Sequence, residues 1–159
     1  MGVKTKKEGL TEDELVRSIF LELADLLEYL GENRFKVLAY RRAVKSMESS
    51  GKSIRELLEK GELTKLPNVG EVVEKKTREI LETGKLRKLE EVRAKIPENI
   101  REMIIKLPIS PSSVATLVKA GVDSMKKLRE MVHNGRINSV QNLSKRTINR
   151  LRKYFESNA

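Results

Sequence analysis

The turn Leu66-Pro67-Asn68-Val69-Gly70, followed at once by Glu71 and then by Glu74-Lys75-Lys76, is the segment of this chain whose residue types and spacing best suit chemistry. A helix that opens directly after a tight turn leaves its first N–H groups without intrahelical partners. Those donors and the positive end of the helix dipole bind a phosphate oxygen without reference to base identity. Gly70 lets a phosphate approach and permits positive φ, and Asn68 is the best non-glycine residue for a left-handed conformation. The same turn also serves as a plain corner between two packed helices, so the turn alone leaves both readings open. For covalent chemistry lysine is the only credible nucleophile. The chain has no cysteine, His133 is its single histidine, and its three aspartates, Asp13, Asp25 and Asp123, lie far apart. That composition excludes a disulfide framework, a thiol nucleophile and a cysteine- or multi-histidine metal site. It also lacks the clustered carboxylates of two-metal nucleotidyl transfer, a Walker loop and a dinucleotide fingerprint.

The elements that position this turn read as helices. Thr11-Glu12-Asp13-Glu14 is a capping box, and Leu15, Ile19, Leu23, Leu26, Leu27 and Leu30 then recur at helical spacing up to Gly31. A second helix is expected from Asn33 to Ser49, and a short one follows the capping box Ser53 to Glu56 and ends at Gly61. The helix after the turn runs from Glu71 to Thr83 and closes at Gly84. Further pieces are predicted near Lys88 to Ala94, Glu98 to Lys106, Pro111 to Ala120, Ser124 to Val132 and Lys145 to Glu156. No convincing strand alternation occurs. The expected fold is all-α: a flexible basic arm over residues 1–10, a helix-hairpin-helix domain over 11–96, and a second small, basic, helix-hairpin-helix-like domain over 97–159.

An internal repeat supports that division. Residues 61–70 align with residues 135–144 at a constant offset of 74, pairing Leu63 with Ile137, Leu66 with Val140, Asn68 with Asn142 and Val69 with Leu143. A weaker third copy is Leu107-Pro108-Ile109-Ser110. Neither later hairpin contains a glycine, which points to packing or looser phosphate contacts, with Ser110 and Ser144 capping their helices.

The chain has 159 residues and a formal net charge of +10, from 33 Lys+Arg against 23 Asp+Glu. Residues 1–96 carry 21 basic and 18 acidic side chains, and residues 97–159 carry 12 and 5. Such an excess favours a polyanion, nucleic acid ahead of an anionic membrane surface. The longest apolar run is Val37 to Tyr40, too short for a membrane span or a secretory signal, so the chain is expected inside the cell, in cytoplasm or nucleoid.

Leu38-Ala39-Tyr40-Arg41-Arg42-Ala43, the 66–70 turn with Glu74-Lys75-Lys76, and Thr83-Gly84-Lys85-Leu86-Arg87-Lys88-Leu89-Glu90 together resemble the N-terminal lyase region of family X DNA polymerases, the DNA polymerase beta group. The similarity spans residues 11–95 and continues more weakly to about residue 130. It implies a 5′-deoxyribose-phosphate lyase pocket and a hairpin that binds the DNA backbone around a monovalent cation, Na⁺ or K⁺, with no other cofactor required. It places the Schiff-base lysine at Lys76 and phosphate-binding residues at Lys36 and Tyr40. The cation falls to the main-chain carbonyls of Thr64, Leu66 and Val69, and the phosphate to the amides of Asn68, Val69 and Gly70. Arg41, Lys65, Lys75 and Lys88 complete the expected backbone contacts, with Lys145, Arg146 and Arg150 on the last helix. In such a reaction the lysine amine adds to the aldehyde of an abasic sugar and loses water. The imine acidifies the neighbouring carbon, and β-elimination breaks the bond to the departing strand oxygen. Attack requires the neutral amine, which partial burial or a neighbouring cation such as Lys75 favours. Departures from the family stand in the same helix: Val72 replaces a second phosphate-binding lysine, Lys75 a glutamate, Glu74 an alanine, and Asn68 the first hairpin glycine.

The sequence therefore points to a sequence-nonspecific DNA-binding protein of repair type, for gapped, nicked or junction DNA, with Lys76 as its lyase nucleophile and a repair enzyme as a protein partner. The alternatives are a non-catalytic architectural or accessory DNA binder and a fragment of a longer family X polymerase; polymerase activity and membrane association are not expected. Tyr40 is the aromatic set apart from the core, as a contact to DNA or sugar.

Overall fold

A computed structural model of the chain describes residues 9–158, so most of the expected arm, residues 1–8, lies outside the described residues. Those residues form helices and turns with no strand: α1 Glu12–Tyr29, α2 Arg34–Ser49, α3 Ile54–Glu59, α4 Glu71–Thr83, α5 Arg87–Arg93, α6 Glu98–Lys106, α7 Pro111–Lys119, α8 Met125–Asn134 and α9 Lys145–Ser157. The all-α class and most boundaries follow the caps. Thr11 and Glu14 exchange both reciprocal bonds of a capping box at 3.1 Å, and Asn33, Ser53, Ser110, Ser124 and Ser144 each accept an amide of the helix they precede.

The chain divides into two compact units. The first joins the described residues up to Ala24 with Asn33–Val92; the second joins Asp25–Glu32 with the described residues from Arg93 onwards. The end of α1 thus belongs to the second unit although the helix is continuous.

In the first unit the core is built from Val16, Phe20 and Leu23 of α1, Val37, Tyr40 and Met47 of α2, Ile54 and Leu57 of α3, and Val73, Thr77 and Ile80 of α4. Tyr40 is a correction to the sequence reading. It is only 4% exposed and stacks on Phe20 with ring centroids 5.8 Å apart, and burial pushes its phenol above the usual tyrosine range. Its position on α2 turns it towards the core, where an aromatic ring removes more apolar area from water than it could gain at the surface. Asp13 of α1 accepts the Ile54 N–H, and Glu12 takes Arg55 in a two-pronged ion pair at 2.8 and 2.7 Å, which fixes α3. On α3 and α4 packs a 3₁₀ turn, Leu63–Lys65, that sequence periodicity did not predict.

In the second unit α6 packs on α7 and α8, and α8 on α9. A second 3₁₀ turn, Arg136–Ser139, packs on α8 and α9. Ile148, Leu151 and Phe155 turn one face of α9 inward. Arg129 lies 5.8 Å over the Phe155 ring, and Arg152 donates to Asn138 Oδ1 at 2.9 Å. Glu28 accepts both the backbone N–H and the hydroxyl of Ser112, which ties the end of α1 to the first turn of α7.

Candidate nucleic-acid interface

The hairpin between the first 3₁₀ turn and α4 is shaped by one buried side chain and one left-handed residue. Leu63 is fully buried and anchors the 3₁₀ turn; Leu66 N–H donates to its carbonyl at 3.2 Å. Asn68 then takes φ 64, the left-handed conformation expected of it. Gly70 departs from expectation: its φ is −103 and ψ −173, extended backbone that any residue adopts. A Cβ built there would meet nothing within 4 Å. Glycine is therefore not demanded by the turn, and what it contributes is an N-cap position with no side chain over the first amides of α4.

Two donors expected to face a phosphate are placed differently from the third. Val69 N–H is turned inward and donates to Leu66 O at 3.3 Å, so it belongs to the turn itself. Gly70, Glu71 and Val72 have amides with no hydrogen-bond partner among the described residues, the first intrahelical bond of α4 being Glu74 N–H to Gly70 O. Asn68 N–H is likewise unpaired among the described residues. The carbonyls of Thr64 and Val69 accept nothing there either, whereas that of Leu66 is taken by Val69.

Beside the hairpin an open groove of about 430 Å³ runs between it and α2, lined by Leu66, Pro67 and Asn68 on one side and by Arg42, Lys45 and Ser46 on the other. Arg42 and Lys45 are exposed and have no ion-pair partner among the described residues. Sequence reading missed both, because they stand more than 20 positions before the hairpin and only the packing of α2 brings them to it. The groove does not include Lys36, Tyr40 or Lys76.

The remaining candidates distribute as follows. Lys36, Lys65 and Lys75 are exposed, and Arg41, Lys76 and Lys88 half-buried. Lys76, on α4, has no ion-pair partner among the described residues. In the second unit Lys145, Arg146 and Arg150 are exposed on α9. Among the described residues no group of His, Asp and Glu side chains could hold a metal ion, and no helix is long and apolar enough to cross a membrane.

With this geometry in view, the relationship of the first unit becomes readable. Residues 12–86 match the helix-hairpin-helix domain family. The matched stretch begins with α1, contains the hairpin and α4, and stops before α5. No curated protein matches the chain. The helix-hairpin-helix match agrees with the hairpin geometry: two helical arms, α3 with its 3₁₀ turn and α4, meet at a left-handed residue.

Proposed function

We propose that the protein binds DNA through its phosphodiester backbone, without base specificity, and that the helix-hairpin-helix domain is the primary contact. The observation that carries this reading is the pairing of free main-chain donors at Gly70, Glu71 and Val72 with two unpaired cations, Arg42 and Lys45, on the adjoining groove. The donors fit a phosphate oxygen, and the cations neutralise its neighbours along the strand. The Glu71 carboxylate at the start of α4 opposes this, so the grip depends on the neutral donors and on the groove cations. The resemblance implies that Na⁺ or K⁺ would be held by the carbonyls of Thr64, Leu66 and Val69, offsetting charge at the hairpin, and those of Thr64 and Val69 accept no hydrogen bond among the described residues. Resemblance to the family X lyase region makes gapped DNA with a 5′-phosphate the preferred form, in a repair setting.

Fluorescence anisotropy on gapped 5′-phosphorylated, nicked and intact duplexes tests the reading. Wild-type affinity should fall steeply with salt, and Arg42→Ala/Lys45→Ala should flatten the slope of log affinity against log salt by about 2, as expected for two lost phosphate contacts. Unchanged affinity and slope in that variant would refute it.

Lys76 supports a second reading, 5′-deoxyribose-phosphate lyase activity, because it is a half-buried lysine with no ion-pair partner among the described residues, on the helix that follows the hairpin. Borohydride trapping on 5′-deoxyribose-phosphate DNA should give a covalent adduct that Lys76→Ala abolishes. No adduct leaves the protein a non-catalytic DNA binder, and an adduct undiminished in the variant overturns Lys76 as the nucleophile.

A further inference from the structure

The repeat reaches further upstream than the turn that reveals it in sequence. In the second unit an open groove of about 820 Å³ lies beside hairpin 140–144. Six of its lining positions stand 74 residues after lining positions of the first groove. Val140 replaces Leu66, Asn142 replaces Asn68, and Lys119 of α7 occupies the place of Lys45 of α2. Asn142 has φ 64, the same value as Asn68, and the following helices, α4 and α9, begin and end 74 residues apart. What was duplicated is therefore the whole groove with its lysine.

Each groove wall carries two cations, Arg42 and Lys45 in the first and Lys119 and Arg136 in the second, and the helix that follows is the more positive one in the copy. Burial of Ile148, Leu151 and Phe155 leaves Arg146, Arg150 and Lys153 on the opposite, exposed face of α9. At 1.5 Å per residue they form a ridge about 10 Å long, which matches about three phosphates of one strand. None of these cations, nor Lys119 or Arg136, has an ion-pair partner among the described residues. The only acid on α9 is Glu156.

We infer that this groove and the α9 ridge form a second nucleic-acid backbone site, contained within the second unit. A membrane surface fits the charge but not the rest of the face. The large apolar side chains exposed among the described residues are Leu21, Leu30, Phe35, Val72 and Ile105, none of them on α9 or at this hairpin. The ridge therefore has no apolar flank to enter a bilayer. The inference shares with the proposed function only the chemical class of the partner.

The experiment uses the full chain and a labelled DNA duplex of mixed sequence, titrated across a salt series. Three proteins are compared with wild type: Arg146→Ala/Arg150→Ala/Lys153→Ala, the first-groove variant Arg42→Ala/Lys45→Ala, and the charge-matched control Lys52→Ala/Lys60→Ala/Lys95→Ala. The α9 variant should bind at least about tenfold more weakly at low salt and flatten the salt slope by about 2.7, three contacts at about 0.9 each; Lys119→Ala should flatten it by about 0.9. The control should show less than half of the α9 effect. Because every substituted side chain on α9 is exposed, circular dichroism melts should coincide with wild type. If the α9 variant and the control have equal slopes, the second site is refuted while the first groove stands or falls on its own variant. Sedimentation with phosphatidylserine vesicles supplies the other arm. Vesicle binding that is lost in the α9 variant, with DNA binding intact, assigns the ridge to membranes and overturns the inference.

Discussion

At hairpin 66–70 the residue before the helix is Gly70, which places no side chain over the first amides, and the first turn of α4 carries Glu71 and Glu74. At hairpin 140–144 the same position is Ser144, whose hydroxyl accepts Thr147 N–H at 3.1 Å, and the first turn of α9 carries Lys145 and Arg146. The two hairpins nevertheless share a buried anchor at Leu63 and Ile137, a left-handed asparagine and a groove lysine. Backbone shape thus depends on the anchor and the asparagine, while the charge around it varies freely. The first hairpin offers open neutral donors beside carboxylates. The second closes one donor and surrounds the rest with cations. Judged by glycine content the second hairpin is degenerate; judged by charge its surroundings are the more positive of the two.

The anchors are where the comparison breaks most severely. Leu63→Ala and Ile137→Ala should each cost about 2–5 kcal/mol, since both side chains are fully buried and each leaves a cavity under its 3₁₀ turn. Urea unfolding followed by circular dichroism reads both losses, and a cost under 1 kcal/mol at either site would show that its hairpin is not held this way. Next come the left-handed residues: Asn68→Ala and Asn142→Ala should each lower stability by about 1 kcal/mol, with Asn→Gly nearly neutral. Unequal costs would mean that the two turns are not equivalent.

Charge exchange sharpens the contrast in binding. Glu71→Lys should tighten DNA binding about two- to fivefold and steepen the salt slope by about 0.9, and Lys145→Glu should do the reverse. Anisotropy titrations measure both, and insensitivity to Glu71→Lys would remove α4 from the interface. The smallest effect belongs to the caps. Gly70→Ser should raise stability by roughly a few tenths of a kcal/mol and weaken DNA binding, because the new hydroxyl occupies an amide that the phosphate would use. Ser144→Gly should shift both quantities the opposite way.

Much of this was legible before any coordinates. Helix ends were readable because Thr11, Asn33, Ser53, Ser110, Ser124 and Ser144 announce them through local hydrogen bonds that need nothing from the rest of the chain. Asn68 was readable as left-handed for the same reason. What sequence hid was whatever depends on packing at a distance. Tyr40 resembled a surface contact until the stack on Phe20 placed it in the core. The two 3₁₀ turns carry too few residues to show a period. Arg42, Lys45 and Lys119 were invisible as groove residues because α2 and α7, where they overlap at the offset of 74, share only Val44 with Val118 and Lys45 with Lys119. The helical offset of 74 was legible only from the turn onwards, where residue types are constrained.

The discontinuity of the two units has a consequence for how this protein could be taken apart. Residues 25–32 belong with the second unit, and Glu28 holds the first turn of α7 through Ser112. A chain cut between Val92 and Arg93 therefore does not release two finished modules. The C-terminal piece would lose the carboxylate that holds its Ser112, and the N-terminal piece would keep a helical end with its partner removed. The duplicated grooves look like exchangeable cassettes, yet a C-terminal cassette that starts at Arg93 lacks residues 25–32 of its own unit, so recombination or proteolysis at the apparent boundary would deprive the second copy of part of its support.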